Sequence, residues 1–472
     1  MGPHAGQRPG RTDRLMVAPG WVTSRYTTFT PSGEPGTWLA FNAFTGSLLE
    51  LDATDWWHVE RLDRRGGRPA PADLPLPLRE RLQDAGVLVP STFDERAALF
   101  ALRRAALAAP DRLLLTIAPT IQCNFRCTYC FEAHRQEVMS PETERHLQRF
   151  IAREAQGVRG ITTTWFGGEP LLQPDLLERV QRFTNELGAA RGLSVSRSIV
   201  TNGWFLTGSM IERLQALGAW DMVQVTVDGL PAVHDTRRIL RGGQGTWERV
   251  IANCRTALEM DFPISLRINV DRGNADTLEP LVDRLCDEGL LPGVHPSLGF
   301  IVDATTTCSH VADAVLTEAE RADVSVRFDA ALLARGLLPT APLPGPICGP
   351  LCSVESSKGF VVAPSGLLFK CWNQIDGSVE QAIGRLDGRP VPNQAREQSR
   401  WARYDPAVRG GCSNCAALPV CMGGCPWEYE RLGRVHRGEC DPFRFRPAEL
   451  VMLAHGRRRA QPHRLAPHRS EP

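Results

Sequence analysis

Between residues 111 and 335 the chain alternates short apolar runs with longer amphipathic ones. LLLTIAP, GITTTWFG, SRSIVTNG, DMVQVTVDG and ISLRINV are rich in Val, Ile and Thr, and each ends in a turn. Helical stretches accompany them: ETERHLQRFIAREA, DLLERVQRFTNELG, MIERLQALG, WERVIANCRTALEM and DTLEPLVDRLCDEG. Their apolar residues recur at the spacing of one helix face. Strand–helix repetition of this kind predicts an α/β fold, with parallel strands joined by crossover helices in roughly six units. The pattern suits an open doubly wound sheet and a full or partial barrel alike. In either, ligands gather where strands end and loops begin.

The flanks follow other patterns. Residues 21–105 form a small α+β module: WLAFNAFTGSLLELD predicts a hairpin around a Thr-Gly turn. DWWHVERLDRR and LPLRERLQDAGVLV predict two short helices and a closing strand. Such a module is too small for a large active site and serves as a packing cap or a peptide-docking unit. The strand–helix domain spans 106–335, and the Pro-rich GLLPTAPLPGPICGP closes it. Residues 336–455 are loop-rich, with cysteines in place of a large apolar core, so metal is expected to hold them together. Residues 1–20 and the basic tail 456–472 are rich in Gly, Pro, Arg and His and are expected to be disordered.

Charge narrows the function. The 472 residues carry a net charge of +1, which gives no general pull toward nucleic acid or an anionic membrane. The cations are almost all Arg, Lys358 and Lys370 being the lysines, a composition bias without functional meaning. No apolar run approaches a membrane span. MGPHAGQRPGRTDR has no apolar core of a secretory signal and no Ser or Thr at position 6 for myristoylation. Fourteen cysteines without such a signal point to a reducing compartment, the cytoplasm, where clustered thiols bind metal more often than they form disulfides. Three fall in 123–130 and eight in 348–440.

APTIQCNFRCTYCFE places Cys123, Cys127 and Cys130 just after the first strand. The spacing C-x3-C-x2-C lets three thiolates converge on one face of a metal cluster, where a closed zinc or iron–sulfur site wants a fourth ligand. Three leave one iron open for a small molecule. Here the chain resembles the radical S-adenosylmethionine (SAM) enzymes, whose motif is C-x3-C-x-aromatic-C, with Tyr129 as the aromatic. WFGGEP, VTNG, VTVDG and RINV follow in the family's order at strand ends. The resemblance implies a partial (β/α)6 barrel and a [4Fe–4S] cluster whose open iron is chelated by SAM. Gly167, Gly168 and Glu169 are implied at the methionine amino group, the glycines letting backbone approach the ligand and the carboxylate facing an ammonium. Thr201, Asn202, Thr226 and Asp228 are implied ribose or methionine contacts, and Arg267 a partner of the SAM carboxylate.

The later cysteines resemble the seven-cysteine SPASM domain. Cys352 precedes Gly366, four residues and Cys371; GCSNCAALPVCMGGC supplies Cys412, Cys415, Cys421 and Cys425, and Cys440 follows. The resemblance implies two auxiliary [4Fe–4S] clusters. One takes Cys352, Cys371 and Cys425, with Cys348 the expected fourth ligand; the other takes Cys412, Cys415, Cys421 and Cys440. Cys254 and Cys286 lie in apolar-periodic helices and read as core. Cys308 lies in the polar loop DATTTCSH with no assigned role.

The family implies SAM cleavage to a 5′-deoxyadenosyl radical that abstracts hydrogen from a peptide or protein, with reduced flavodoxin or ferredoxin as electron donor. The expected reaction is a thioether or carbon–carbon crosslink in a ribosomally made precursor peptide. Formylglycine formation in a sulfatase is the alternative; that branch has an Asp directly after the G-x4-C cysteine, whereas Trp372 and Asn373 follow Cys371 and the first acid is Asp376. Epimerisation ranks last, with Cys308 its only loop thiol. The N-terminal layout faintly resembles winged-helix elements that hold leader peptides by strand addition. A non-catalytic, zinc-structured binding protein is the rival of another class; the GGEP segment and the order of motifs argue against it.

Overall fold

The computed structural model describes residues 20–63, 69–337, 345–347, 349–350, 352–406, 411–431 and 440–460. Cys348, residues 1–19 and residues 461–472 lie outside the described residues.

The N-terminal module holds β1 (Trp21–Thr23), β2 (Thr27–Pro31), β3 (Thr37–Asn42), β4 (Ser47–Asp52) and β5 (Leu88–Pro90). β2, β3 and β4 form an antiparallel sheet in chain order, and β1 pairs with β5. The expected hairpin is β3–β4. Asn42 builds its turn: its Oδ1 accepts from the N–H groups of Phe44 and Thr45 at 2.9 and 3.0 Å. Gly46 completes the turn at φ +71°, a conformation that costs glycine nothing. The two short predicted helices are Ala53–Val59 and Leu76–Asp84. A third, Glu95–Ala108, leads into the central sheet.

The central sheet carries β6 (Arg112–Ile117), β7 (Gly160–Trp165), β8 (Ser194–Thr201), β9 (Met222–Thr226), β10 (Ile264–Val270) and β11 (His295–Phe300). Each is parallel to the next, and neighbours in the sheet are neighbours in the chain. An order that never reverses is singly wound, which removes the doubly wound alternative, because that topology requires a switch point. The helices Pro141–Glu154, Pro174–Arg191, Gly208–Gln215, Trp247–Glu259 and Leu278–Asp287 fall where the periodicity predicted them. Pro231–Arg237 and Glu318–Ala334 were not among the predicted helices.

The two faces of this sheet differ. Leu113, Leu115, Trp165, Ile199, Val225 and Ile268 are buried against the helices. The alternate residues Thr162, Thr164, Ser196, Ser198, Gln224 and Arg267 are polar and only half-buried. Parallel sheets are ordinarily apolar on both faces. A polar second face therefore lines a space that takes water or a polar ligand.

The third region of the chain, rich in cysteine, is less separate than its composition suggested. β12 (Gly359–Val362) runs parallel to β6 and extends the same sheet, followed by antiparallel β13 (Leu367–Phe369) and β14 (Gly384–Arg385). Ala118 and Ile121, at the end of β6, share an apolar cluster with Val361, Phe369 and Ile375. The region thus has a core, built jointly with the central sheet. It also shares one with the N-terminal module: Tyr26, Leu39, Phe41 and Leu99 pack with Cys412, Leu418, Val420 and Phe443. Helix Pro447–Ala460 runs past position 456, where the disordered tail was expected to begin, because Val451 joins that core. Among the described residues no helix is long and apolar enough to cross a membrane.

Candidate active site

The loop after β6 carries Cys123, Cys127 and Cys130, each partly buried. Cys130 lies within electrostatic reach of Cys127 and Cys123, and Cys123 of Cys127. The three thiols therefore lie near one another. Burial, helped by Glu169, pushes the Cys123 thiol up to about 12, and burial raises Cys127 and Cys130 as well. Without metal these groups hold their protons, and cluster assembly must displace them.

The GGEP turn after β7 wedges against this loop. A Cβ on Gly168 would stand 2.2 Å from the carbonyl oxygen of Gln122 and 2.5 Å from that of Ile121. Gly167, at φ +102°, would meet the Thr120 carbonyl at 2.5 Å. The glycines admit the backbone leading into the cysteine loop. Two backbone bonds seal the seam: the Gly168 N–H donates to Thr120 O at 3.1 Å and the Glu169 N–H to Gln122 O at 2.9 Å.

Glu169 is fully buried. Its Oε1 accepts from the Leu171 N–H at 3.0 Å and the Thr201 hydroxyl at 2.8 Å, and its Oε2 from the Asn202 N–H at 2.8 Å. Burial raises its pKa against these bonds. The Asn202 amide donates to Asn124 Oδ1 at 2.8 Å and points at Cys123 Sγ, 3.8 Å away. Glu169, Thr201 and Asn202 thus tie the ends of β6, β7 and β8 into one polar floor beside the thiols.

Tyr129 centres a second network. Its hydroxyl donates to Asp228 Oδ2 and accepts from Arg238 Nη1 at 2.8 Å and Asn269 Nδ2 at 3.1 Å. Asp228 is fully buried, with Oδ1 accepting from the Asn269 N–H at 3.1 Å. Asp228 is therefore committed to Tyr129 rather than left facing an open space. Thr226 and Arg267 stand side by side in the β9–β10 register on the polar face. The Arg267 guanidinium lies across Gly299, where a Cβ would come within 2.2 Å, and Nε donates to Asn269 Oδ1 at 2.8 Å.

The segment after helix Pro231–Arg237 was not singled out in the sequence. It runs antiparallel to the cysteine loop. The Arg126 N–H donates to Ile239 O at 2.7 Å, Thr128 to Arg237 O at 3.0 Å, and Arg241 to Asn124 O at 2.8 Å. Arg237 forms a salt bridge to Asp271 at 2.9 Å and lies 3.8 Å from Asp228. Two consecutive cations at a helix end, in HDTRR, were the available signal.

In the later region Cys371 lies within electrostatic reach of Cys352 and Cys425. Cys421 is within reach of Cys415, and Cys440 of Cys421. Arg444 Nη1 donates to Cys440 Sγ at 3.0 Å. Cys412 is buried, its carbonyl accepting from the Cys415 N–H at 3.0 Å. Cys352 and Cys425 thus lie near Cys371, and Cys415 and Cys440 near Cys421. Among the described residues no three His, Cys, Asp or Glu side chains close on a single-ion site. A row of stacked rings links the two regions: Phe131 on Phe166 at 6.3 Å, and Phe166 on Trp372 at 5.5 Å. Cys308 is fully buried against Ile301, Val311, Tyr129 and Phe131.

Residues 117–285 match the family model of the radical SAM superfamily, which covers the cysteine loop, the GGEP turn and the ends of β8, β9 and β10. Residues 117–285 thus form a radical SAM domain, which marks the chain as an enzyme. It is 23% identical over 344 residues to a serine-type anaerobic sulfatase-maturating enzyme of Klebsiella aerogenes, covering 68% of this chain and 80% of the relative. It is 25% identical over 178 residues to the sporulation killing factor maturation protein SkfB of Bacillus subtilis (strain 168), covering 37% of this chain and 40% of that protein. Among solved structures, native anSMEcpe with bound AdoMet and Cp18Cys peptide superposes with a TM-score of 0.58 at 15% identity, over 74% of this chain and 98% of that one. At that identity the likeness shows the fold.

Proposed function

We propose that the protein is a radical SAM maturase that oxidises a peptide or protein side chain, its parallel strands forming a partial (β/α)6 barrel around the substrate. The observation that carries this is the convergence of Cys123, Cys127 and Cys130 at the end of β6, beside the polar floor of Glu169, Thr201 and Asn202. The three thiols suit a [4Fe–4S] cluster with one open iron, which, when SAM binds it, supplies a radical able to take hydrogen from unactivated carbon. Tyr129 and Asp228 brace the loop. Arg267, on the half-buried polar face, would meet the SAM carboxylate, and Thr226 beside it in the strand register a ribose hydroxyl. Cys352, Cys371 and Cys425, with Cys348, and separately Cys412, Cys415, Cys421 and Cys440, would hold two auxiliary clusters. A low-potential flavodoxin or ferredoxin would supply electrons.

The product we favour is a crosslink in a precursor peptide. Trp372 and Asn373 occupy the positions after Cys371, so the acid expected of the sulfatase branch is absent there. In the three-stranded N-terminal sheet β2 and β4 are the edge strands, which suits strand addition by a leader peptide. The formylglycine reading has its own support. The similarity to the sulfatase-maturating enzyme spans 68% of the chain, and Asp376 Oδ2 accepts from the Ala133 N–H at 2.7 Å, setting an acid beside the cysteine loop. Epimerisation loses ground, since Cys308 is sealed in a core.

The test incubates anaerobically reconstituted enzyme, SAM and reductant with a Cys-containing peptide encoded beside its gene. Loss of two hydrogens together with the free thiol means a crosslink, and replacement of the Cys CH2SH by an aldehyde means formylglycine. Uptake of solvent deuterium without either change means epimerisation. SAM cleavage with no change in any peptide or sulfatase substrate overturns the maturase reading.

A further inference from the structure

We propose that Arg238 tunes the SAM-binding cluster: its buried guanidinium, fixed beneath the cysteine loop at Cys127, stabilises the reduced state. The inference rests on the radical SAM domain and not on which substrate is modified.

The placement is set by backbone. Residues 237–241 pair antiparallel with 124–128, including a bridge between Phe125 and Leu240, so the Arg238 side chain starts under the middle of the loop. Its Nη1 donates to the Tyr129 hydroxyl at 2.8 Å, and its Cζ lies 5.5 Å from the centre of the Phe125 ring. Phe125 and Tyr129 flank Cys127 at two residues on either side, so the guanidinium is held across that cysteine. Arg238 is 5% exposed, and its buried Nε has no hydrogen-bond partner in the protein. The fork therefore retains a donor that the described protein groups do not use.

Charges of both signs surround the loop, with Glu169 and Glu132 on the side of Cys123 and Cys130. Asp228 is bonded to the same Tyr129 hydroxyl as Arg238, and Arg237 is matched by Asp271. The step affected is a one-electron reduction. One electron passes from an external low-potential donor to the cluster; no bond breaks and no proton moves. The added negative charge arises in a buried setting, where screening is weak and a fixed cation acts strongly. A Lys retains that cation without the fork, whereas Gln retains hydrogen bonding without the charge.

The test is an EPR-monitored redox titration of the reconstituted full chain, following the signal that SAM addition perturbs, with iron content measured on each sample. At a fixed potential, Arg238→Gln should show a reduced-to-oxidised ratio at least tenfold below that of the unsubstituted protein. That corresponds to a midpoint about 59 mV more negative. Arg238→Lys should stay within about threefold, a difference that a purely structural role in holding Tyr129 would not produce, because Lys lacks the fork as well. Asp228→Asn, which removes the opposing charge, should move the ratio the other way. An Arg238→Gln protein with full iron content and an unchanged ratio overturns the proposal. If that variant fails to take up iron, the proposal is overturned by an Asp228→Asn ratio that stays level or falls.

Discussion

Phe41 on β3 meets Phe443 edge to face, with ring centres 5.6 Å apart at 72°, so the N-terminal sheet and the segment after Cys440 share one core. Phe41 is completely buried and Phe443 is 2% exposed. Phe41→Ala should cost about 3–5 kcal/mol. The loss should be felt around Cys412 to Cys425, as reduced iron per chain as well as a lower unfolding temperature. Wild-type iron content and stability in this variant would make the module a separable cap. The same contact changes how a truncation is read. Removing residues 1–100 takes away Leu39, Phe41 and Leu99 and uncovers Leu418 and Val420, so lost activity in that protein cannot be assigned to leader binding alone.

Gly168 offers a sharper probe of the cysteine loop. The atoms its Cβ would meet are backbone carbonyls at 2.2 and 2.5 Å, which cannot rotate away as a flexible side chain would. Gly168→Ala must therefore push the GGEP turn and the Ile121–Gln122 backbone apart, at about 1–3 kcal/mol. We expect iron content to fall by the share of one cluster, with SAM cleavage falling in proportion. Gly208→Ala is the control, since its Cβ would find Thr256 Cγ2 at an ordinary 3.6 Å. Equal iron loading in the two variants would show that the seam tolerates separation.

Glu169 separates a ligand contact from a structural tie. Glu169→Gln keeps the shape but turns an amide NH2 toward one of the donors that now reach the carboxylate. The mismatch should cost about 1–3 kcal/mol. Because Thr201 and Asn202 hang from this group, we expect weaker SAM binding by equilibrium dialysis and a shift in the EPR signal of the cluster even before SAM is added. A variant altered only after SAM addition would assign Glu169 to the ligand and not to the floor.

The sequence revealed what is local and missed what is not. The spacing of Cys123, Cys127 and Cys130 and the five helices repeat within a few residues, so they were readable. β11 was not, because HPSLGF carries a proline and a glycine that mimic a turn; the glycine is there to pass the Arg267 guanidinium. Asp228 was identified as a site residue, but its partner Tyr129 lies 99 residues away and could not be paired with it. Arg238 and Tyr129 are 109 residues apart, so the cradle under the loop left no periodic trace. The same distance effect hid the core shared by β3 and GCSNCAALPVCMGGC, whose isolated composition suggested a region without one.

His234 makes the network sensitive to pH. The ring is fully buried, with Nδ1 accepting from the Asp228 N–H at 3.3 Å and Nε2 facing the Thr246 hydroxyl at 3.0 Å. That hydroxyl donates to Arg238 O at 2.6 Å, so Nε2 carries the hydrogen and Nδ1 must stay bare. Burial, then Arg238 and Arg237, push the ring down from 6.5 to about 3. A histidine depressed in the folded state contributes its full stability above the unfolded value, near 6.5, and loses it as pH falls toward the folded value. Between pH 6.5 and 5 this one group should remove about 2 kcal/mol. His234→Gln cannot titrate, so its urea midpoint, though lower at about pH 8, should decline less steeply with acid than that of the unsubstituted protein. Comparing the slopes cancels any common acid loss of iron. Parallel slopes for the two proteins would mean that His234 is not held neutral, and that the Asp228 N–H does not depend on it.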